Sequence, residues 1–178
     1  MEWEFQFLNY IQKHIRSDIL DFIMPLISYL GTLGAVWILI ALISLFTKKY
    51  REFGITLSFD LIISLIPCNL IFKPIVNRIR PYVLNNTITL IVPPEIDASF
   101  PSGHTFFAFS AATICFIYNK KFGCLLYILA ALIGFSRLYL YIHFPTDVFF
   151  GAVFGTLTAI GAFYMEKIIF KSDRSLDK

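Results

Sequence analysis

The chain has 178 residues, 57% of them hydrophobic and 15% charged, with a formal net charge of +3. This composition excludes an ordinary soluble globular domain, which carries about 25% charged residues. The scattered basic residues exclude a nucleic-acid face, which leaves one domain dissolved in a bilayer. Residues 1–21 come first, with Trp3, Phe7, Tyr10, Ile11 and His14 at helical spacing and Gln6, Asn9, Lys13 and Arg16 between them. The pattern predicts an amphipathic helix lying in the membrane interface, with His14 an interfacial residue. The chain opens without a basic region followed by a short apolar one, so no cleavable signal peptide is expected. Crossing a bilayer takes about 20 apolar residues in a helix, and the runs 22–47, 53–72, 102–118, 122–141 and 146–165 are read as spans. The second carries Asp60, the fourth Arg137 and the fifth Asp147 in its first turn. Backbone polar groups in lipid must be bonded within the segment, so the fold class is all-α: a multi-pass transmembrane helix bundle of about five spans, one domain over 1–178.

Orientation follows from Lys and Arg in short loops. Lys48, Lys49 and Arg51 follow the first span, Lys120 and Lys121 the third, and Lys167, Lys171, Arg174 and Lys178 the fifth. With five spans these lie on one face, the cytoplasmic one. The amino-terminal helix, the segment 73–101 and the turn around His143 then lie on the outer face.

Three clusters meet that outer face at helix ends: Lys73-x6-Arg80-Pro81, then Pro101-Ser102-Gly103-His104, then Ser136-Arg137-x5-His143-x3-Asp147. Lys73, Arg80 and Arg137 are fixed cations suited to a phosphate dianion, with arginine adding a planar fork of donors. Ser102 is a plausible cap for the apolar helix behind it, and the free amides of that helix terminus suit an anion. Gly103 lets an oxygen approach closely. A neutral imidazole can attack phosphorus and a protonated one can donate to a leaving oxygen, roles open to His143 and His104. Asp147, four residues after His143 and beyond Pro145, can hold the second ring nitrogen as a triad carboxylate does.

In this order and spacing the clusters resemble the signature of the type 2 phosphatidic acid phosphatase superfamily of membrane lipid phosphatases, over about residues 55–165. The resemblance implies a phosphohistidine on His143 oriented by Asp147, protonation of the leaving group by His104, and a phosphate held by Lys73, Arg80, Ser102, Gly103 and Arg137. It implies no metal and no cofactor. Many members have six spans, one more than is read here. The leading substrate is undecaprenyl diphosphate, a lipid carrier released on the outer face; phosphatidylglycerophosphate and phosphatidic acid are the alternatives. Transfer of phosphate to another lipid, and a non-catalytic lipid binder, are the competing classes. The soluble vanadate-dependent peroxidases share the signature, and the spans exclude them. The partners expected are the lipid substrate and the surrounding membrane lipids, with no nucleic acid and no obligatory protein.

Other residues receive plainer readings. Arg78 is read as a surface or headgroup contact. Asp60 is expected to hydrogen-bond a Ser, Thr or Tyr of a neighbouring helix, and Asn69 to lie near the substrate. Cys68, Cys115 and Cys124 are read as packed thiols. Gly151 and Gly155 have the spacing of a close helix contact. Residues 83–99, with Glu95 and Asp97, are assigned to headgroup selection, and no conformation is predicted for them.

Overall fold

The computed structural model describes residues 2–174 of the chain. Helix α1 (Glu2–His14) carries Glu2 and Glu4 in its first turn and Lys13 and His14 in its last, charges placed to complement the helix dipole. Its inward face is Glu4, Leu8 and Ile11. Leu8 and Ile11 pack with Tyr139, Tyr141 and Ile142. Trp3, Phe7 and Tyr10 face outward, and His14 is exposed against the Tyr10 ring.

Ser17 caps α2 (Asp18–Leu30) through its side chain. The single helix predicted over 22–47 is broken: a 3-10 turn at Thr32–Gly34 separates α2 from α3 (Ala35–Phe46), and the two are bent by 45°. The cause is local. Gly34 sits at φ +67, a left-handed conformation that costs glycine little.

Helix α4 (Arg51–Leu65) continues through a π-helical stretch, Ile66–Phe72, that contains Pro67, and then through α5 (Lys73–Val76). The second span thus overruns its predicted end at 72. Asn77, at φ 42, stops it. A short α6 (Pro81–Leu84) precedes the irregular segment that leads to α7 (Gly103–Tyr118). Asn119 then caps α8 (Lys120–Tyr139), and Pro145 begins α9 (Pro145–Arg174), as proline suits a first helical position. Among the described residues, three helical stretches are long and apolar enough to cross a membrane: Lys48–Leu84, Lys120–Tyr139 and Pro145–Ile169. The bent pair α2–α3 would be a fourth if counted as one span, and α7 is a shorter apolar helix.

Helix α7 is the hub, packed against α4, α8 and α9. Its inner surface is small: Ala108, Ala111 and Ala112 join Trp37, Leu57, Ile133 and Ala159 in the core. Close approach is carried by two of the three glycines of α9, Gly151 and Gly155. A Cβ on Gly155 would lie 2.2 Å from the Phe106 carbonyl oxygen, and one on Gly151 2.9 Å from that of Ser102. Asp60 is fully buried on α4 and accepts from Ser110 of α7 at 2.7 and 2.9 Å, the neighbouring-helix bond expected of it. Cys68 and Cys115 are buried, whereas Cys124 is exposed beside Leu125 on the outward face of α8, so the packed-thiol reading fails there.

Gly155→Ala is expected to destabilise the protein by about 1–3 kcal/mol, because a backbone carbonyl cannot move aside as a side chain can. Gly161, whose Cβ would meet nothing within 4 Å, is the control, and Gly161→Ala should be neutral or stabilising. Thermal unfolding in detergent reads both.

Candidate active site

The ends of α5, α7, α8 and α9 meet at one end of the bundle. The backbone sets their depth: the Ser102 amide donates to the Asp147 carbonyl at 3.0 Å, fixing the start of α7 against the first turn of α9. Arg80 is 3% exposed. Its Nε donates to the Asp97 carbonyl at 2.9 Å, and its Nη1 to the Ile142 carbonyl at 3.0 Å. Arg137, in the last turn of α8, donates to Ser28 Oγ of α2 at 2.6 Å. The Lys73 ammonium lies 3.7 Å from the position of a Cβ on Gly103, over the start of α7. The three expected cations and the α7 terminus therefore converge.

Between the cations lie two carboxylates of the segment for which no conformation was predicted. Glu95 bonds Arg137 and pairs with Arg80 at 2.7 Å. Asp97 bonds Lys73 and pairs with Arg80 at 2.6 Å. Partial burial alone would raise Glu95, but Arg137 and Arg80 outweigh it and hold the carboxyl at about 2, below its usual 4.5. Asp97 is likewise held at about 2, with Lys73 and Arg80 overcoming partial burial.

His143 is 1% exposed, in the turn between α8 and α9. Its Nδ1 lies 2.8 Å from the Ser99 carbonyl, which can only accept. Its Nε2 lies 3.2 Å from Arg80 Nη1, which can only donate. Both neighbours assign the same tautomer: a proton on Nδ1 and a lone pair on Nε2, directed into the cation cluster. Burial, then the nearby Arg80 and Arg137, against Asp147, push this imidazole down to about 4, so it is neutral at ordinary pH.

Asp147 meets the ring at 3.7 Å, too long for the direct bond expected of it. Its Oδ2 instead accepts from Ser99 Oγ at 2.5 Å and the Phe144 amide at 2.9 Å. Ser99 is thus the residue that joins the carboxylate to the imidazole. Ser102 is fully buried, but its hydroxyl accepts from Thr105 at 3.0 Å and makes no bond to the helix amides, so the side-chain cap is absent. His104 Nε2 lies 3.3 Å from Thr32 Oγ1. Gly31 leaves room for the His104 ring, which a Cβ there would meet at 2.9 Å. The break in the first span therefore supplies the hydroxyl and the space next to His104.

Arg78 is not a surface residue. It donates to Asp147 Oδ1 at 2.6 Å, Thr146 Oγ1 at 2.7 Å and Glu4 Oε2 at 2.6 Å, and lies 4.0 Å over the Phe144 ring.

A cavity of about 1080 Å³ opens from this cluster. His104, His143, Lys73 and Arg80 line one part, and Ile38, Leu42, Leu61, Ile62 and Leu65 another; Asn69 lies between them in the chain and also lines it. The residues from 53 to 170 match the PAP2 superfamily. This chain belongs to that superfamily. Among PAP2 relatives, it is 38% identical to the bacitracin transport permease protein BcrC of Bacillus licheniformis over 48% of this chain and 42% of that one. It is 31% identical to an undecaprenyl-diphosphatase of Sulfolobus acidocaldarius over 68% of this chain and 59% of that one. To the undecaprenyl-diphosphatase BcrC of Bacillus subtilis it is 34% identical, over 75% and 68% respectively. The chain thus spans about half the length of the first two relatives. The PAP2 fold is shared with the crystal structure of Aquifex aeolicus LpxE, with a TM-score of 0.79 and 29% identity over 90% of this chain and 94% of that one. A PAP2-type phosphatidylglycerolphosphate phosphatase of Bacillus subtilis gives 0.66 and 28%, over 87% and 80%.

A phosphate held by Lys73, Arg80 and Arg137 would compete with Glu95 and Asp97 for the same cations. The double variant Glu95→Gln, Asp97→Asn should bind orthovanadate more tightly than the wild type, read as a lower inhibition constant. His143 gives a pH signature. Unfolded, it takes up a proton near 6.5; folded, only near 4. Its contribution to stability is complete above pH 6.5 and is lost as pH falls through about 4. The fall in unfolding temperature across that window should be smaller in His143→Asn.

Proposed function

We propose that this chain is an integral membrane lipid phosphatase with His143 as its nucleophile. The observation that carries the reading is the Nε2 lone pair of a buried, neutral imidazole, directed at Arg80, which Asp97 and Glu95 tie to Lys73 and Arg137, beside a cavity with apolar lining. Phosphoryl transfer needs mainly positioning and charge stabilisation, and these residues offer both. Lys73, Arg80 and Arg137 hold the non-bridging oxygens, with the first amides of α7 at Ser102-Gly103-His104 beside them. The hydrocarbon tail lies along Ile38, Leu42, Leu61 and Leu65.

Nε2 of His143 attacks phosphorus, the bond to the leaving oxygen breaks, and His104 delivers a proton to that oxygen. Water then attacks the phosphorus of the phosphohistidine, His104 takes the water's proton, and the P–N bond breaks to release phosphate. Ser99 and Asp147 keep Nδ1 protonated, so that Nε2 remains the nucleophile. The reaction needs no metal.

The substrate we favour is undecaprenyl diphosphate, which the names of two relatives support. The likeness to a phosphatidylglycerolphosphate phosphatase keeps that lipid as the second reading. The chain crosses the membrane five times, counting the bent α2–α3 pair and α7, with α1 in the interface. The site faces outward, since Lys48, Lys49, Arg51, Lys120, Lys121 and Lys167 gather at the opposite end.

Purified protein in detergent with EDTA should release phosphate from undecaprenyl diphosphate faster than from phosphatidylglycerophosphate or phosphatidic acid. His143→Ala should abolish release. Lys73→Ala should lose roughly 10²–10³ in rate, the scale of one missing charge-stabilising donor. Turnover by His143→Ala would remove the mechanism. Phosphate passed to an added lipid acceptor, with none released to water, would make the chain a phosphotransferase.

A further inference from the structure

Asp147 is fully buried, and a buried carboxylate must be compensated by hydrogen bonds or an opposite charge. Ser99 and the Phe144 amide occupy Oδ2. Oδ1 faces away from His143 and accepts from Arg78 at 2.6 Å. Arg78 is in turn gripped from α1: Glu4, 3% exposed, takes its Nη2 at 2.6 Å. The other Glu4 oxygen accepts from Thr146 Oγ1 at 2.6 Å, and the Thr146 hydroxyl also receives Arg78 Nη1 at 2.7 Å. Phe5, the next residue of α1, packs edge-on against Phe144 with ring centroids 5.2 Å apart, and Arg78 covers that same ring. The turn from Phe144 to Asp147 is therefore clamped between α1 and the segment after α5.

We propose that Arg78 and Glu4 are positioning residues for the His143–Asp147 pair, and that the amino-terminal helix is part of the catalytic apparatus through them. This rests on His143 being the nucleophile. One cation shared between two carboxylates does two things. It fixes the rotamer of Asp147 by a bond on the oxygen that His143 does not face. It also leaves the pair of acids with a net negative charge, so Asp147 retains a field that favours positive charge on the imidazole as Nε2 forms its bond to phosphorus. Removing Glu4 commits Arg78 to Asp147 alone and weakens that field. Removing Arg78 leaves Asp147 held through Oδ2 alone and leaves two buried acids without the cation they share. Neither residue touches the cavity, so substrate binding is untouched and the loss falls on the chemical step.

The test uses the full chain in detergent with undecaprenyl diphosphate. Glu4→Gln, which is nearly isosteric, and Arg78→Gln should each lower kcat by roughly 10- to 100-fold, the scale of a small misplacement of reacting groups, with KM unchanged. Arg78→Lys should restore part of the loss, because it returns the charge without the fork. Variants are compared at equal monodispersity, so that misfolded protein is not counted. A second readout needs no turnover. Nitrogen-15 spectra of histidine-labelled protein, with the His143 signal assigned by its loss in His143→Asn, should show the imidazole taking up its proton at lower pH in Glu4→Gln and at higher pH in Arg78→Gln than in the wild type, with the tautomer unchanged because the Ser99 carbonyl and Arg80 set it. Wild-type kcat in both variants together with an unchanged imidazole titration would overturn the proposal while leaving the phosphatase reading intact. Turnover by His143→Ala would instead overturn the phosphatase reading, and the imidazole titration would still decide whether Glu4 and Arg78 act on His143 through Asp147.

Discussion

Two buried guanidinium groups and an ammonium converge inside an apolar bundle, and everything around them answers that concentration of positive charge. A buried cation without compensation costs several kcal/mol. Arg80 and Arg137 are both nearly inaccessible. Glu95 and Asp97 supply the compensation from a single irregular segment, and Ile142, Ser28 and the Asp97 backbone take further donors, leaving Arg137 Nε without a partner among the described residues. A phosphate group offers the same oxygens with the same charge. Under the proposed function, binding a phosphate here would exchange one set of oxygens for another.

That arrangement depends on helices being set to the right depth. Gly151 and Gly155 let α9 rest on the backbone of α7, and the Ser102–Asp147 backbone bond pins the two helices at the site end. Arg137 then reaches the cluster from α8, Arg80 from the start of α6, and His143 from the turn ahead of α9. The glycine contact acts on packing, yet it sets the start of α7, where Gly103 lies beside the Lys73 ammonium.

Much of this was legible in the sequence because the chemistry is written in local motifs. Lys73, Arg80, Ser102, Gly103, His104, Arg137, His143 and Asp147 fall in three short clusters at the ends of apolar runs, and all eight gather at one end of the bundle. What escaped was contributed across long sequence distances. Ser28 reaches Arg137, Thr32 reaches His104, and Glu4 reaches Arg78. No periodicity marks such pairs. Arg78 looked like a snorkelling cation because its flanks are apolar, and only the fold brings two acids to it. Ser99 was hidden because its main role uses a carbonyl that every residue has. The break at Gly31–Gly34 did have a signal, two glycines within one turn, but hydropathy counts the run 22–47 as a single span and is blind to backbone conformation.

The most direct measurement is a rapid quench of the protein with lipid diphosphate labelled in its terminal phosphorus, followed by peptide mapping under alkaline conditions that preserve phosphoramidates. The account predicts transient label that is stable to base, labile to acid, carried on the peptide containing His143 and absent from His143→Asn. Label on any other residue, or full phosphate release with no labelled protein at any time, would contradict it.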